Sequence, residues 1–241
     1  MRRWCLIYGN YIAAVDIRRK ESYGDLVLYD VGTGSTTKID DSAAYPRLTS
    51  DSLGNYCVAY EKWCGDSCNV VVRKIGDNSY YEIPSVGKID GNTVLHPKPM
   101  ISVYDKYLIV GFTDYSGDSP EVRVVVLRTG VNDSLGNLTL GVGTDPCVVG
   151  NVVEYRDASS NAIKAALIKI TDSGCSVAQN VIIYRYNGSV SNLYVIPVYE
   201  DSDGGKYYLA VFTTDGKVHG VLFRDKYNRV QVLSTYDSSE L

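Results

Sequence analysis

Residues 45–74 read YPRLTSDSLGNYCVAYEKWCGDSCNVVVRK, and the fold follows from how this stretch is parsed. It holds three short extended runs: Arg47–Ser50 behind a proline, and the apolar Tyr56–Tyr60 and Val70–Val72. Each is too short for an ordinary helix and draws on β-branched and aromatic residues, so each reads as a strand. The intervening Ser52-Leu53-Gly54-Asn55 and Cys64-Gly65-Asp66-Ser67 are turn sequences. Glycine supplies positive φ there, and Asp, Asn and Ser bond to the local backbone. A more polar run, Tyr80–Ile83, closes a unit of four strands.

The unit recurs along the chain. Pro46, Pro97, Pro146 and Pro197 are spaced 51, 49 and 51 residues apart, each at the front of an extended stretch. Proline cannot donate to a ladder, so a strand's start or an exposed edge suits it. The second run returns at Tyr107–Phe112, Val152–Tyr155 and Tyr208–Phe212, with Tyr11–Val15 in the same phase near the N-terminus. Third and fourth runs follow each of these, which divides the chain into units 1–41, 42–90, 91–142, 143–188 and 189–241. Self-similarity at 40–50 residues with four strands per unit predicts a single all-β domain, a five-bladed β-propeller with four antiparallel strands per blade. A pair of β-sandwiches is the rival architecture. In its proline-led first strand, short Gly/Asn turn and apolar second and third strands, the chain resembles TolB-like and WD-type propeller repeats, without identifying one family.

A propeller's first strands line its channel. The segments expected there are Trp4–Tyr8, Arg47–Ser50, Met100–Val103, Cys147–Val149 and Leu193–Val195, and none contains Asp or Glu. A glycosidase needs two carboxylates flanking the scissile bond, and Asp145 stands alone at one mouth. The motif Gly-Asp-Ser occurs twice, after Trp63 and Tyr115, each time between a second and a third strand. A nucleophilic serine needs a neighbouring base, and the two histidines, His96 and His219, fall at a strand entrance and inside a strand. The motif therefore reads as turn chemistry, and the chain as a non-enzyme with no catalytic residue.

Composition narrows the field further. The net charge is −4, from 24 basic and 28 acidic residues, and no basic face of the kind nucleic acid requires stands out. No apolar run approaches the roughly 20 residues that span a bilayer. The first residues imitate a signal peptide only faintly, because Gly9-Asn10 breaks the apolar stretch. Asp201-Ser202-Asp203-Gly204 has part of a calcium loop without its distal glutamate, so neither metal nor cofactor is expected. Six cysteines permit disulfides without proving them. Cys64 and Cys68 are spaced to bridge a hairpin mouth, to remain free thiols or to join a metal site. Scarce Gln, His and Met beside abundant Tyr and Val resemble proteins of hyperthermophilic archaea and their viruses, which implies tolerance of intracellular disulfides and a virion or host-attachment role.

One propeller face collects the loops between second and third strands together with the links between units. There the sequence places Tyr23, Trp63 and Tyr115 with Arg18, Arg19, Asp66 and Asp118 close by. Exposed aromatic and arginine anchors are the usual energetic centre of a binding surface. The expected function is a scaffold presenting this face to a protein partner, with carbohydrate stacking on Tyr and Trp as the alternative and a glycoside hydrolase behind both.

Overall fold

The computed structural model describes residues 3–16, 23–51, 54–77, 79–90, 93–130 and 133–238, with residues 3–6 as backbone only. Among the described residues every regular element is a strand. The first sheet contains β1 (Arg3–Tyr8), β2 (Tyr11–Asp16), β3 (Gly24–Asp30), β4 (Thr36–Ser50), β5 (Tyr56–Trp63), β6 (Ser67–Lys74), β7 (Tyr80–Asp90) and the short β8 (Thr93–Leu95). Three four-stranded sheets follow: β9 (Met100–Tyr104) to β12 (Ser134–Val142) through β10 (Tyr107–Asp114) and β11 (Glu121–Arg128); β13 (Thr144–Val149) to β16 (Gly174–Arg185) through β14 (Val152–Asp157) and β15 (Ala162–Thr171); and β17 (Val190–Glu200) to β20 (Arg229–Asp237) through β18 (Lys206–Thr214) and β19 (Lys217–Lys226). All pairings are between neighbours in sequence and antiparallel.

The first sheet departs from the expected separation of units. Its fifteen-residue β4 pairs with β3 over residues 36–43 and with β5 over residues 43–50, so one strand serves two four-stranded halves. Ser42 and Tyr45 adopt φ of 51° and 47° and bend the strand where it changes partner.

The sheets stack face to face. The first half of the first sheet covers the second through Ala13, Val15, Leu26 and Leu28 against Val58, Tyr60 and Val71. The second half meets the next sheet through Ala59, Val70 and Val72 against Leu108, Val110 and Phe112. The opposite face of β10, Tyr107 and Ile109, packs on Val148, Val153 and Tyr155. A last layer joins Val152, Ala165 and Leu167 to Val195, Ala210 and Phe212. Successive strand residues point to opposite faces, so a strand covered on both sides must be apolar throughout. Every residue of β10 is buried. At the outer sheets, only one face is buried: Ile12 and Ala14 of β2, and Leu209 and Val211 of β18, are half-buried. Gly111 fits the closest approach, because a Cβ there would lie 2.7 Å from a Val148 methyl.

Three prolines do not begin their strands. Pro46 and Pro146 lie within β4 and β13 at register shifts, where the ladder is already interrupted. Pro197 lies opposite Tyr208 near the far end of β17, so it is not equivalent to the others. The structural period is carried instead by non-glycine residues at positive φ: Tyr45, Lys98, Asp145 and Asn192, at 47°, 47°, 55° and 54°.

One buried group works against the fold. Glu154 on β14 is fully buried, opposite Cys147 and Ala165, and neither carboxylate oxygen has a hydrogen-bond partner. Burial raises its pKa well above the ordinary value. The folded chain thus holds this proton more tightly than the unfolded chain, whose glutamate titrates near about 4.3. Its contribution to stability is present below that pH and is lost as pH rises through the folded value. Glu154→Met is expected to raise unfolding free energy by about 1–3 kcal/mol at pH 8, with a smaller gain at pH 5, as measured by urea denaturation at both pH values.

Candidate functional site

The loops between second and third strands and the links between sheets lie at one end of the strands. Tyr115 N donates to Val86 O at 2.7 Å, Lys88 Nζ to Gly117 O at 3.0 Å, and Gly143 N to Pro120 O at 2.9 Å. These bonds tie the loop at 115–120 to the links on either side of it. The two Gly-Asp-Ser copies differ in detail. Gly65 has φ of 84°, and Cys64 N donates to Ser67 O at 2.9 Å, closing a tight turn. The second copy sits in a longer loop, where Asp114 accepts from Ser116 N at 2.8 Å.

Tyr23 and Trp63 come together, with ring centroids 5.1 Å apart, but Tyr23 faces inward. It is only 9% exposed, and its hydroxyl reaches Cys68 Sγ at 2.9 Å and His96 Nδ1 at 3.3 Å. Burial, with the Glu61 carboxylate nearby, raises its pKa. Trp63 and Tyr115 are half-buried, and Asp66 and Asp118 are exposed. Arg18 and Arg19 lie outside the described residues. The surface therefore offers Trp63 and Tyr115 at its margin, while Tyr23 belongs to the packing beneath.

Beneath that surface is a polar clasp the sequence did not reveal. Glu61, at the end of β5, is fully buried. It accepts from Lys98 N at 2.6 Å and lies 2.8 Å from His96 Nδ1. Tyr45 packs on the same imidazole, with ring centroids 4.9 Å apart. One carboxylate thus fixes the link between the first two sheets. A buried charge with its partners removed costs several kcal/mol, because the remaining polar groups stay desolvated. Glu61→Ala is expected to cost about 3 kcal/mol or more, against about 1 kcal/mol for Tyr23→Phe. Chemical denaturation of both variants checks the ranking.

The Cys64–Cys68 bridge, one of the alternatives open from sequence, does not form: both thiols are free. Cys68 turns inward to Tyr23, while Cys64 Sγ accepts from Asn69 Nδ2 at 3.3 Å. Cys68 and Asn69 are neighbours on β6 and point to opposite faces, so Cys64, bonded to Asn69, lies across the hairpin from the Cys68 sulfur. Burial pushes the Cys68 thiol up to about 11 and Cys57 up to about 12. Maleimide labelling followed by peptide mass spectrometry should modify Cys64 in the native protein. Cys57, Cys68 and Cys147 should react only after unfolding.

A cavity of about 610 Å³ is bordered by residues of β1, β4, β9, β13 and β17. These are the strands assigned to the channel from sequence. Arg47, Lys98, Asp145 and Arg156 contribute charge to it, and Met100 and Leu193 contribute apolar wall. Asp145 pairs with both Lys98 Nζ, at 3.5 Å, and Arg156 Nη2, at 3.4 Å. Arg156 also donates to Thr144 Oγ1 and to Val190 O, at 2.8 and 3.1 Å. The sequence marks Asp145 but not Arg47, Lys98 or Arg156 as a site residue. Arg47 and Lys98 lie at or just after a left-handed link residue, a position the repeat marks, whereas Arg156 reaches the space from β14.

No protein-family model matches the chain, and no curated protein does. Solved structures do resemble it. BamB from Moraxella catarrhalis, a β-propeller, superposes with a TM-score of 0.51 at 14% identity over 97% of this chain and 60% of BamB. A thermostable family-43 glycoside hydrolase gives a TM-score of 0.48 at 8% identity, over 96% of this chain and 92% of the hydrolase. Pyrococcus horikoshii acylaminoacyl peptidase gives 0.44 at 12% identity, over 95% of this chain and 45% of the peptidase. The chain thus spans less than two thirds of the length of BamB and of the peptidase. The likeness to BamB at this identity speaks to fold alone: this is an all-β protein of the β-propeller type.

Proposed function

We propose that the chain is a five-bladed propeller acting as a non-enzymatic scaffold, which presents the Trp63–Tyr115 face to a protein partner. The blade count follows if the two halves of the first sheet are taken as separate blades that share β4. The observation that carries the functional reading is the commitment of the acidic groups beside that face. Glu61 is held by Lys98 N and His96, and Asp145 by Lys98 and Arg156. Such groups build and rigidify a surface, whereas a general acid or base must be free to exchange its proton with substrate. Trp63 and Tyr115 supply half-buried aromatic area, and Asp66 and Asp118 supply an exposed polar rim. That combination suits a partner-binding patch. No helix among the described residues is long and apolar enough to cross a membrane.

A photo-crosslinking residue at position 66 or 118 should capture one defined partner in the source cells. The same residue at position 203, in the turn before β18 at the other end of the strands, should not. Trp63→Ala should reduce capture at position 66 at least tenfold. Equal capture at position 203, or glycan-array binding abolished by Trp63→Ala, would replace the protein partner by a different surface or by a carbohydrate.

A further inference from the structure

We infer that the cavity bordered by β1, β4, β9, β13 and β17 is a binding site for a small organic carboxylate, with the Arg47 guanidinium as its anchor. Three cationic side chains, Arg47, Lys98 and Arg156, border this space with one carboxylate, Asp145. Asp145 is shared by Lys98 and Arg156. Among the described residues no carboxylate pairs with Arg47. Its Nε lies 3.1 Å from Met100 Sδ, and its Nη1 donates to Pro46 O at 3.1 Å. A thioether is a weak acceptor, and a guanidinium has five donors in a planar fork. A half-buried guanidinium with only these partners keeps donors open toward the cavity and has no counter-charge, which a carboxylate bound there supplies.

The geometry favours a carboxylate over a more highly charged anion. The planar fork matches a carboxylate with two parallel hydrogen bonds. Asp145 already occupies Lys98 and Arg156, which leaves the Arg47 fork as the cation open to a single carboxylate. The volume of about 610 Å³ falls within the range of small-molecule sites. Leu48, Met100, Ile101, Pro146 and Leu193 give the ligand body an apolar surface. Lys98, Asp145 and Asn192 all adopt positive φ and border the cavity. Non-glycine residues in that region cost free energy and collect at functional sites.

Calorimetric titration of the full chain at pH 7 in 150 mM NaCl tests the assignment, using benzoate and glucuronate against their neutral counterparts benzamide and glucose, with inorganic phosphate alongside. At least one acid should bind, and ten times or more tighter than its neutral counterpart. Arg47→Met should weaken that binding at least tenfold, with circular dichroism confirming the fold. Lys98→Met, at an exposed position, should weaken it by a smaller factor, whereas Arg128→Met, remote from the cavity, should leave it unchanged. Binding of benzoate alone identifies an aromatic acid, and of glucuronate alone a sugar acid; either supports the proposal. Failure of both acids to bind, equal binding of acid and neutral counterpart, tighter binding of phosphate, or unchanged affinity in the folded Arg47→Met variant overturns it.

Discussion

The structure depends on covering both faces of its interior sheets. A four-stranded antiparallel sheet with apolar residues at every position is insoluble alone and stable only between two neighbours. β10 shows this most plainly: Leu108, Val110 and Phe112 fill one layer while Tyr107 and Ile109 fill the next. Each apolar layer contributes burial at roughly 25 cal/mol per Å², and each interior sheet spends both of its faces on layers. Radial stacking of similar sheets is the arrangement that continues this without leaving an interior face wet. The first and last sheets have half-buried outer faces, and there the strands return to alternation.

Stacking alone does not orient the sheets about a common space. That is done at one end of the strands, where the links turn back toward the cavity. Tyr45, Lys98, Asp145 and Asn192 each take a left-handed conformation there, beside a shift of register or just before a first strand. Polar bonds then hold the turns. Glu61 ties Lys98 N to His96, and Arg156 ties Thr144 to Val190 O, so consecutive links are joined through buried or half-buried charge. The aromatic margin at Trp63 and Tyr115 rests on this bonded layer.

Much of the architecture was legible in the sequence because it depends on local pattern. Runs such as Tyr107–Phe112 are short, apolar and bounded by turns, and their recurrence marks a repeat. Pro46 and Pro146 mark inner strands because those edges tolerate a missing donor. Pro197 fits the same spacing by coincidence of number, since it lies at the other end of its strand. The joining of two units through β4 was not legible: residues 36–50 contain a polar stretch and a proline that read as a break, yet two left-handed residues carry the strand through. The site was less legible still. Tyr23 looked like a surface aromatic because the loop before it is charged, but its hydroxyl finds partners on β5, β6 and the link before β9. Contacts made across sheets, such as Glu61 with Lys98 N, depend on three-dimensional register and leave little trace in one unit's pattern.

The strand common to two sheets has a consequence for how the chain comes apart. Residues 36–43 and 43–50 are one continuous β4, so melting either half of the first sheet strips a partner from the other. These two halves should open as a single cooperative block in hydrogen exchange. The sheets beginning at β9, β13 and β17 hang on loops, each with its own complete ladder, and can fray one at a time from the C-terminal side. The molecule is thus asymmetric in its mechanics: one end is spliced and the other is segmented.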